Sequence, residues 1–224
     1  MKRAVLFDLD GVLVDSRAAQ LATLAGFATA ALDRRVTIDD LPPGAETIPR
    51  EQVLAHLGLD RLIDENGWDA ASATATLVAK VFPFVVETLT ELRAADVATG
   101  VVTLRSRRCL HWLLPPDVID LLDTVVCYED ATPKPAPDGL LLALDQLGAA
   151  PSNAVFVGDT DTDIHAARAA GVTAVGAGWG FAGPHALTRT GADLVLSEPM
   201  DLSSALLRLV GGPQLNGFSG ELDS

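Results

Sequence analysis

Residues 5–15 read VLFDLDGVLVD. The apolar run over 4–7 ends in two aspartates, Asp8 and Asp10, separated by one leucine, and Gly11 opens a second apolar run that closes on Asp15. A short run of this kind, bounded by turn-forming Asp and Gly, is the pattern of a strand buried on both faces. The two carboxylates therefore stand where that strand ends. The chain repeats the theme, with Val-rich runs at 97–102, 124–127, 154–157, 172–175 and 192–196. Helical patterns lie between most of them, such as VVETLTELRAA at 85–95 and PDGLLLALDQLG at 137–148, the latter closed by Gly148. Strands alternating with helices predict an α/β fold, a Rossmann-like doubly wound parallel sheet covered on both faces. Such sheets bind ligands beyond the carboxyl ends of their strands.

One region breaks the alternation. From 16 to 81 the patterning is helical and alanine-rich (QLATLAGFATAALDRR, EQVLAHLGLDRLIDE, DAASATATLVAKV), with no convincing strand. It predicts a helical cap inserted after the first strand, with hinges near 13–17 and 80–84, LPPGAETIP at 41–49 as a loop and a turn at Asn66 and Gly67. The expected division is a core from 1–15 and 82–210, a cap from 16–81, and a glycine-rich, polar tail over 211–224 that is expected to be mobile. No internal repeat or low-complexity tract is present.

Composition bounds the function. The 224 residues are 49% hydrophobic, enough for a full core, and the formal charge of −14 disfavours nucleic acid and anionic membranes as partners. The opening apolar stretch is too short for a signal-peptide core, and no run reaches the roughly 18 residues of a membrane span. A cytoplasmic, soluble chain is expected. Cys109 and Cys127 are too few and wrongly spaced for a disulfide framework or a zinc site, so both read as reduced thiols. Oligomeric state is not encoded in any pattern.

The polar residues fall at the strand ends: Asp8 and Asp10 after the first, Thr103 after VATGVVT, Lys134 in ATPKPAP, and Asp159 and Asp163 in GDTDTDI. Together they fit phosphoryl transfer. A carboxylate such as Asp8 can attack phosphorus, and Asp10, two residues on, can protonate the leaving oxygen and later take a proton from water. Four acidic residues in one crevice repel each other and an anionic substrate, which calls for a divalent cation, and oxygen ligands suit Mg2+. Lys134 supplies fixed positive charge and Thr103 a hydroxyl donor for phosphate oxygens.

DLDGVLVDS, the strand-terminal Thr103, KPAPDGLLLAL and GDTDTDIHAARAAGV resemble the four ordered motifs of the haloacid dehalogenase-like hydrolase superfamily, in its phosphoglycolate-phosphatase-like branch with a helical cap. The resemblance spans about 4–205. It implies Asp8 as nucleophile, Asp10 as general acid and base, Thr103 and Lys134 as phosphate binders, and Asp8, the Asp10 carbonyl and Asp159 as magnesium ligands supported by Asp163. A small phosphorylated metabolite is the implied substrate. Two positions depart from the branch. Leu104 stands where Asn is frequent and removes a polar contact, which leaves open whether Arg105 replaces it; both join the candidate phosphate contacts. Pro83-Phe84 replaces the usual Pro-Gly, a change expected to affect only cap docking.

Plainer readings compete at several positions. DTDTD at 159–163 begins like a calcium loop, but Ile164 and Ala170 stand where such a loop needs Gly and Glu. His56, His111, His165 and His185 show no paired spacing and read as surface or helix residues, Trp179 as packing, and Arg50 as part of a solvated helix face. The expected function is Mg2+-dependent hydrolysis of a small phosphate monoester through phospho-Asp8. A phosphosugar mutase on the same core is the alternative, and a non-catalytic phosphate-binding or scaffold protein a further one. Within the resemblance, Asp10 disfavours dehalogenase and phosphonate-cleaving chemistry.

Overall fold

The computed structural model describes residues 2–48, 50–59 and 78–211. In chain order the described strands are β1 (Lys2–Phe7), the two-residue β2 (Val14–Asp15) and β3 (Lys80–Val81), then β4 (Val97–Val102), β5 (Thr124–Val126), β6 (Ala149–Gly158), β7 (Thr173–Ala177) and β8 (Leu194–Leu196). Six of them form one sheet in the order β5-β4-β1-β6-β7-β8, every neighbouring pair parallel. From β1 the chain builds outward through β4 and β5, then returns to the other side of β1 to build β6, β7 and β8. That reversal places the ligand crevice at the carboxyl end of β1.

Alternation along β1 explains its burial. Val5 and Phe7 face one side, packing with Val101, Val155 and Val157 against Leu89 and Leu92 of α3 (Val85–Ala94). The same layer takes in Leu110 and Leu113 of α4 (Arg107–Leu113) and Val118 of α5 (Pro116–Ile119). Ala4 and Leu6 face the other side, under Leu140 and Leu144 of α6 (Asp138–Leu147), Ile164 and Ala167 of α7 (Asp161–Ala170) and Leu187 of α8 (Gly183–Thr190). Leu202 and Leu206 of α9 (Leu202–Gly211) close the first layer. Each fully buried Leu, Val or Phe contributes about 1.5–3 kcal/mol, so burial along the sheet axis supplies much of the stability of the core. The strand-end loops ride on it.

The helical cap leaves the core after β2 and returns at β3. It holds the 16-residue α1 (Arg17–Leu32), a 3-10 turn (Ile38–Asp40) and α2 (Arg50–His56). Leu24, Ala28, Val36, Leu41, Val53 and Leu54 give it an apolar core of its own. Three details differ from the sequence pattern. Lys80–Val81 is a strand, pairing antiparallel with β2 as Val14↔Val81 and Asp15↔Lys80; two residues are too few to show a period of two. The helix in EQVLAHLGLDRLIDE stops at His56, because Gly58 turns left-handed at φ 79°. Strand β6 starts at Ala149, five residues before its apolar run, through the polar stretch PSN. The turn at Asn66 and Gly67, most of DAASATATLVAKV and the tail beyond 211 lie outside the described residues.

Candidate active site

Asp8 is the first residue past β1, anchored by its backbone N–H, which donates to the Val157 carbonyl at 2.8 Å. The chain then turns sharply: Gly11 has φ 76°, its N–H donates to the Val14 carbonyl, and the N–H groups of Leu13 and Val14 both donate to Leu9. A Cβ on Gly11 would stand 2.1 Å from Asp159 Oδ2. Glycine therefore serves twice there, for the left-handed turn and for the close approach of the Asp159 carboxylate.

Asp159 directly follows β6, and Asp163 lies in the first turn of α7. Each divides its two oxygens between scaffold and crevice. Asp159 Oδ2 accepts from the Phe181 N–H at 2.7 Å, while Oδ1 is buried without a hydrogen-bond partner among the described residues. Asp163 Oδ2 caps α7, accepting from the Thr160 N–H at 3.0 Å and the Thr160 hydroxyl at 2.6 Å. Its Oδ1 lies 2.6 Å from Lys134 Nζ, which also donates to Asp8 Oδ1 at 2.6 Å and to the Val102 carbonyl at 3.2 Å. Lys134 is thus wedged between nucleophile candidate and helix cap.

Carboxylate oxygens of Asp8, Asp159 and Asp163 all lie within 4.8 Å of one another. With all three ionised, the buried carboxylates against one ammonium would leave two negative charges uncompensated. Burial pushes the Asp8 carboxyl up to about 7, helped by the charges on Asp163 and Asp10 and opposed by Lys134. Burial, Asp163 and Asp8 likewise raise Asp159 well above the ordinary carboxylate range. For Lys134, burial disfavours the charge, but Asp163 and Asp8 outweigh it and raise its pKa. An all-oxygen donor set with an orphaned buried oxygen and a charge deficit of two fits a small divalent cation.

Asp10 faces elsewhere. Both of its oxygens are engaged: Arg105 Nε donates to Oδ2 at 2.8 Å, and Arg105 Nη2 and the Ser16 hydroxyl donate to Oδ1, the former at 2.9 Å. Burial alone would raise its pKa, yet the Arg105 charge and hydrogen bonds, with Ser16 and Gln20, hold it below the usual carboxylate value. The two aspartates of the opening stretch thus occupy opposite electrostatic settings. Thr103, 3% exposed, accepts the Arg105 N–H on its Oγ1 at 3.1 Å, which leaves its hydroxyl hydrogen to donate.

These groups line a cavity of about 500 Å³ that is also lined by cap residues, among them Gln20, Thr23, Leu24, Glu46, Thr47 and Arg50. The sequence profile of the family described as Haloacid dehalogenase-like hydrolase matches residues 5–177. The chain belongs to the haloacid dehalogenase-like hydrolases. Its similarities place it in the phosphoglycolate-phosphatase-like branch of these hydrolases. It is 33% identical over 214 residues to the pyrophosphatase PpaX of Bacillus velezensis, covering 89% of this chain and 94% of that one. It is 30% identical over 239 residues to the phosphoglycolate phosphatase of Escherichia coli, covering 91% and 92%. A solved hydrolase of the same family from Deinococcus radiodurans, with bound phosphate and sodium, superposes with a TM-score of 0.72 at 27% identity, over 93% of this chain and 96% of that one.

In this hydrolase Asp8, Asp10, Thr103, Arg105, Lys134, Asp159 and Asp163 converge on one cavity, as their strand-end positions require. Among the metal candidates, the Asp10 side chain is turned away to Arg105, and the carboxylate cluster is Asp8, Asp159 and Asp163. Leu104 lines the same cavity with 47% of its surface exposed. Trp179 packs as expected, edge-on to Phe84 at 5.6 Å, with Nε1 donating to the Val12 carbonyl. Phe84 also stacks on Phe82 at 5.5 Å, so the Pro-Phe departure fills the core layer beneath the crevice. The four histidines are exposed on helices, and both cysteines are buried and free. Arg50, its side chain partly exposed, pairs with Glu51 at 2.8 Å and also lines the cavity.

Sequence reading passed over Ser16, Gly180 and the Phe181 N–H, each holding an acidic side chain in place. It also passed over Arg17. That residue donates to the carbonyls of Gly180 and Phe181 at 2.7 and 3.1 Å and pairs with Glu46 at 3.1 Å, joining cap to core. The glycines of GWGF were the available signal, since a Cβ on Gly180 would stand 2.3 Å from Asp159 Cβ.

Proposed function

We propose that this hydrolase is a Mg2+-dependent phosphatase that cleaves a small phosphate monoester through an aspartyl-phosphate on Asp8. The observation that carries the reading is the buried set of Asp8, Asp159, Asp163 and Lys134 at the carboxyl end of the central strand, with Asp10 held apart from it. In the first step the Asp8 carboxylate forms a bond to phosphorus as the bond to the leaving oxygen breaks, and Asp10 gives that oxygen its proton. In the second, a water attacks phosphorus, Asp10 takes its proton, and inorganic phosphate leaves as the Asp8 carboxylate is restored. Lys134 and the Thr103 hydroxyl hold the phosphoryl oxygens, with Arg105 and the exposed Leu104 beside them.

Asp8, the Asp10 carbonyl and Asp159 would hold Mg2+, with Asp163 behind them. When bound, the ion offsets the charge of the carboxylates and of the transferring phosphoryl group. The core from 1–15 and 82–210 does the chemistry, while the cap from 16–81 closes over the substrate and excludes bulk water. The names of the curated relatives and the phosphate bound in the Deinococcus structure support phosphate as the group recognised. A small metabolite rather than a polymer suits a 500 Å³ cavity and an acidic surface. The same reading puts the enzyme in the cytoplasm, where buried free thiols are at home.

The test is a screen of phosphate monoesters with and without Mg2+, reading inorganic phosphate, repeated with Asp8→Asn. That variant keeps the side-chain shape and is expected to lose about 10³-fold or more in kcat. Retained phosphate release would overturn the reading. A rearranged sugar phosphate in place of inorganic phosphate would point to the mutase alternative.

A further inference from the structure

The Asp159 side chain is held at one oxygen. Its Oδ2 accepts from the Phe181 N–H at 2.7 Å, and its buried Oδ1 has no hydrogen-bond partner among the described residues. The Phe181 N–H belongs to the peptide group that joins Gly180 to Phe181, and the carbonyl of that same group accepts from Arg17 Nη2, also at 2.7 Å. One planar peptide unit therefore stands between a guanidinium and a carboxyl group, with a charged partner at each end once Asp159 is ionised. Hydrogen bonds in such a series polarise one another, so the cation at the carbonyl strengthens the N–H as a donor to Asp159. Planarity also ties the two bonds together. The peptide cannot turn its carbonyl away from Arg17 without turning its N–H away from Asp159.

Arg17 has further anchors. Nη2 also donates to the Phe181 carbonyl at 3.1 Å, the guanidinium carbon stands 5.4 Å from the centre of the Phe181 ring, and Nη1 pairs with Glu46 at 3.1 Å. Arg17 opens α1, the first helix of the cap, and Glu46 belongs to the cap loop, where it lines the cavity. With side-chain exposures of 42% for Arg17 and 20% for Glu46, the ion pair by itself is weak in water. Its weight lies in what it connects: the cap loop reaches Asp159 through Glu46, Arg17 and a single peptide group. We propose that Arg17 is a positioning residue that couples the cap to the Mg2+ site, steadying Asp159 through the Gly180–Phe181 peptide and the cap loop through Glu46. The inference rests on the Mg2+ reading above and deepens it. By thermodynamic reciprocity, Mg2+ at Asp159 steadies the cap loop, and a seated cap loop raises the affinity for Mg2+ by the same factor. Arg17 itself does not line the cavity.

The experiment follows Mg2+ binding to the full-length protein by calorimetric titration, and the cap loop by amide hydrogen exchange over 42–48, both without substrate. Arg17→Ala is expected to weaken Mg2+ binding by about five- to tenfold, the lower end of what outer-shell partners of a metal ligand give. Arg17→Lys, which keeps the charge but loses the fork, is expected to recover only part of that affinity. In the wild type, saturating Mg2+ is expected to slow exchange over 42–48 by about threefold or more, and in Arg17→Ala to leave it unchanged. Glu46→Ala cuts the cap end alone. It is expected to lose the exchange response while losing less Mg2+ affinity than Arg17→Ala, and it carries the test if Arg17→Ala does not fold. A role in stability alone predicts a lower melting temperature with neither effect. The coupling is overturned if folded Arg17→Ala binds Mg2+ as the wild type does, if Mg2+ leaves exchange over 42–48 unchanged in the wild type, or if Glu46→Ala keeps the exchange response. Wild-type protein that binds no Mg2+ in the titration overturns the Mg2+ reading itself, a different result from binding without coupling.

Discussion

Gly180 shows how much of the site depends on atoms that are missing. Its backbone is unexceptional, but a Cβ would meet Asp159 Cβ at 2.3 Å and Oδ2 at 2.4 Å, and the next residue's N–H is the one that holds Oδ2. Gly180→Ala is therefore expected to destabilise the fold by about 1–3 kcal/mol and to weaken Mg2+ binding by about tenfold or more, read by denaturant unfolding and by calorimetric titration. Preserved Mg2+ affinity would show that Asp159 is not held by this loop. At this scale the sequence was readable for residues whose type and strand-end position announce chemistry, such as Asp8, Lys134 and Asp159. It was silent on partners. That Arg105 would meet Asp10 is a pairing across 95 positions, set by β4 lying beside β1, and no local pattern encodes it.

Among elements, the start of α7 matters most to the site. Thr160 and Asp163 form a reciprocal cap, the Thr160 side chain taking a backbone N–H of the first turn and Asp163 taking the Thr160 backbone N–H. The same carboxylate sends its other oxygen to Lys134, so the helix end orients a group of the crevice. Thr160→Ala is expected to cost about 1 kcal/mol in urea unfolding and also to lower kcat, with Thr160→Ser restoring both. A stability loss without any kinetic effect would detach the cap from the chemistry. The six sheet strands were legible because burial on both faces demands continuous apolar runs. The β2/β3 pair was not, since two residues on each side are too few to show a period of two and their pairing joins distant parts of the chain. β6 likewise reached further than its apolar stretch, its opening half running through the Pro-Ser-Asn of 151–153.

For the molecule as a whole, the buried carboxylates tie stability to pH and, on the Mg2+ reading proposed above, to metal. Asp8, pushed up to about 7, keeps a proton in the folded protein that the unfolded chain, at an ordinary 3.8, has already released. Between those values the folded state binds more protons, so stability falls as pH rises through the window. Asp159 acts in the same sense, whereas Asp10, held low, loses its stabilising contribution only in more acidic solution. The Asp8 shift alone corresponds to on the order of 4 kcal/mol. In EDTA the melting temperature is expected to be higher near about pH 5.5 than near about pH 7.5, and added Mg2+ to raise it more at the higher pH, because the ion binds ionised carboxylates. Scanning calorimetry reads both trends. A melting temperature in EDTA that rises with pH over this range would contradict the sign. The net charge of −14 was plain from composition, but the gathering of Asp8, Asp159 and Asp163 at one strand end appears only when the loops after β1 and β6 come together.

The ribbon of Val14–Asp15 against Lys80–Val81 has a consequence for how this architecture changes over time. The chain departs and re-enters through residues that face each other directly, with the Phe82 N–H donating to the Leu13 carbonyl. To the sheet, everything in between is a single loop whose two ends are one strand spacing apart, about 5 Å. Such a junction fixes the ends and leaves their contents open. The cap can be lengthened, shortened or exchanged for one that fits a different metabolite, while β1 keeps its register and the carboxylates beneath it keep theirs.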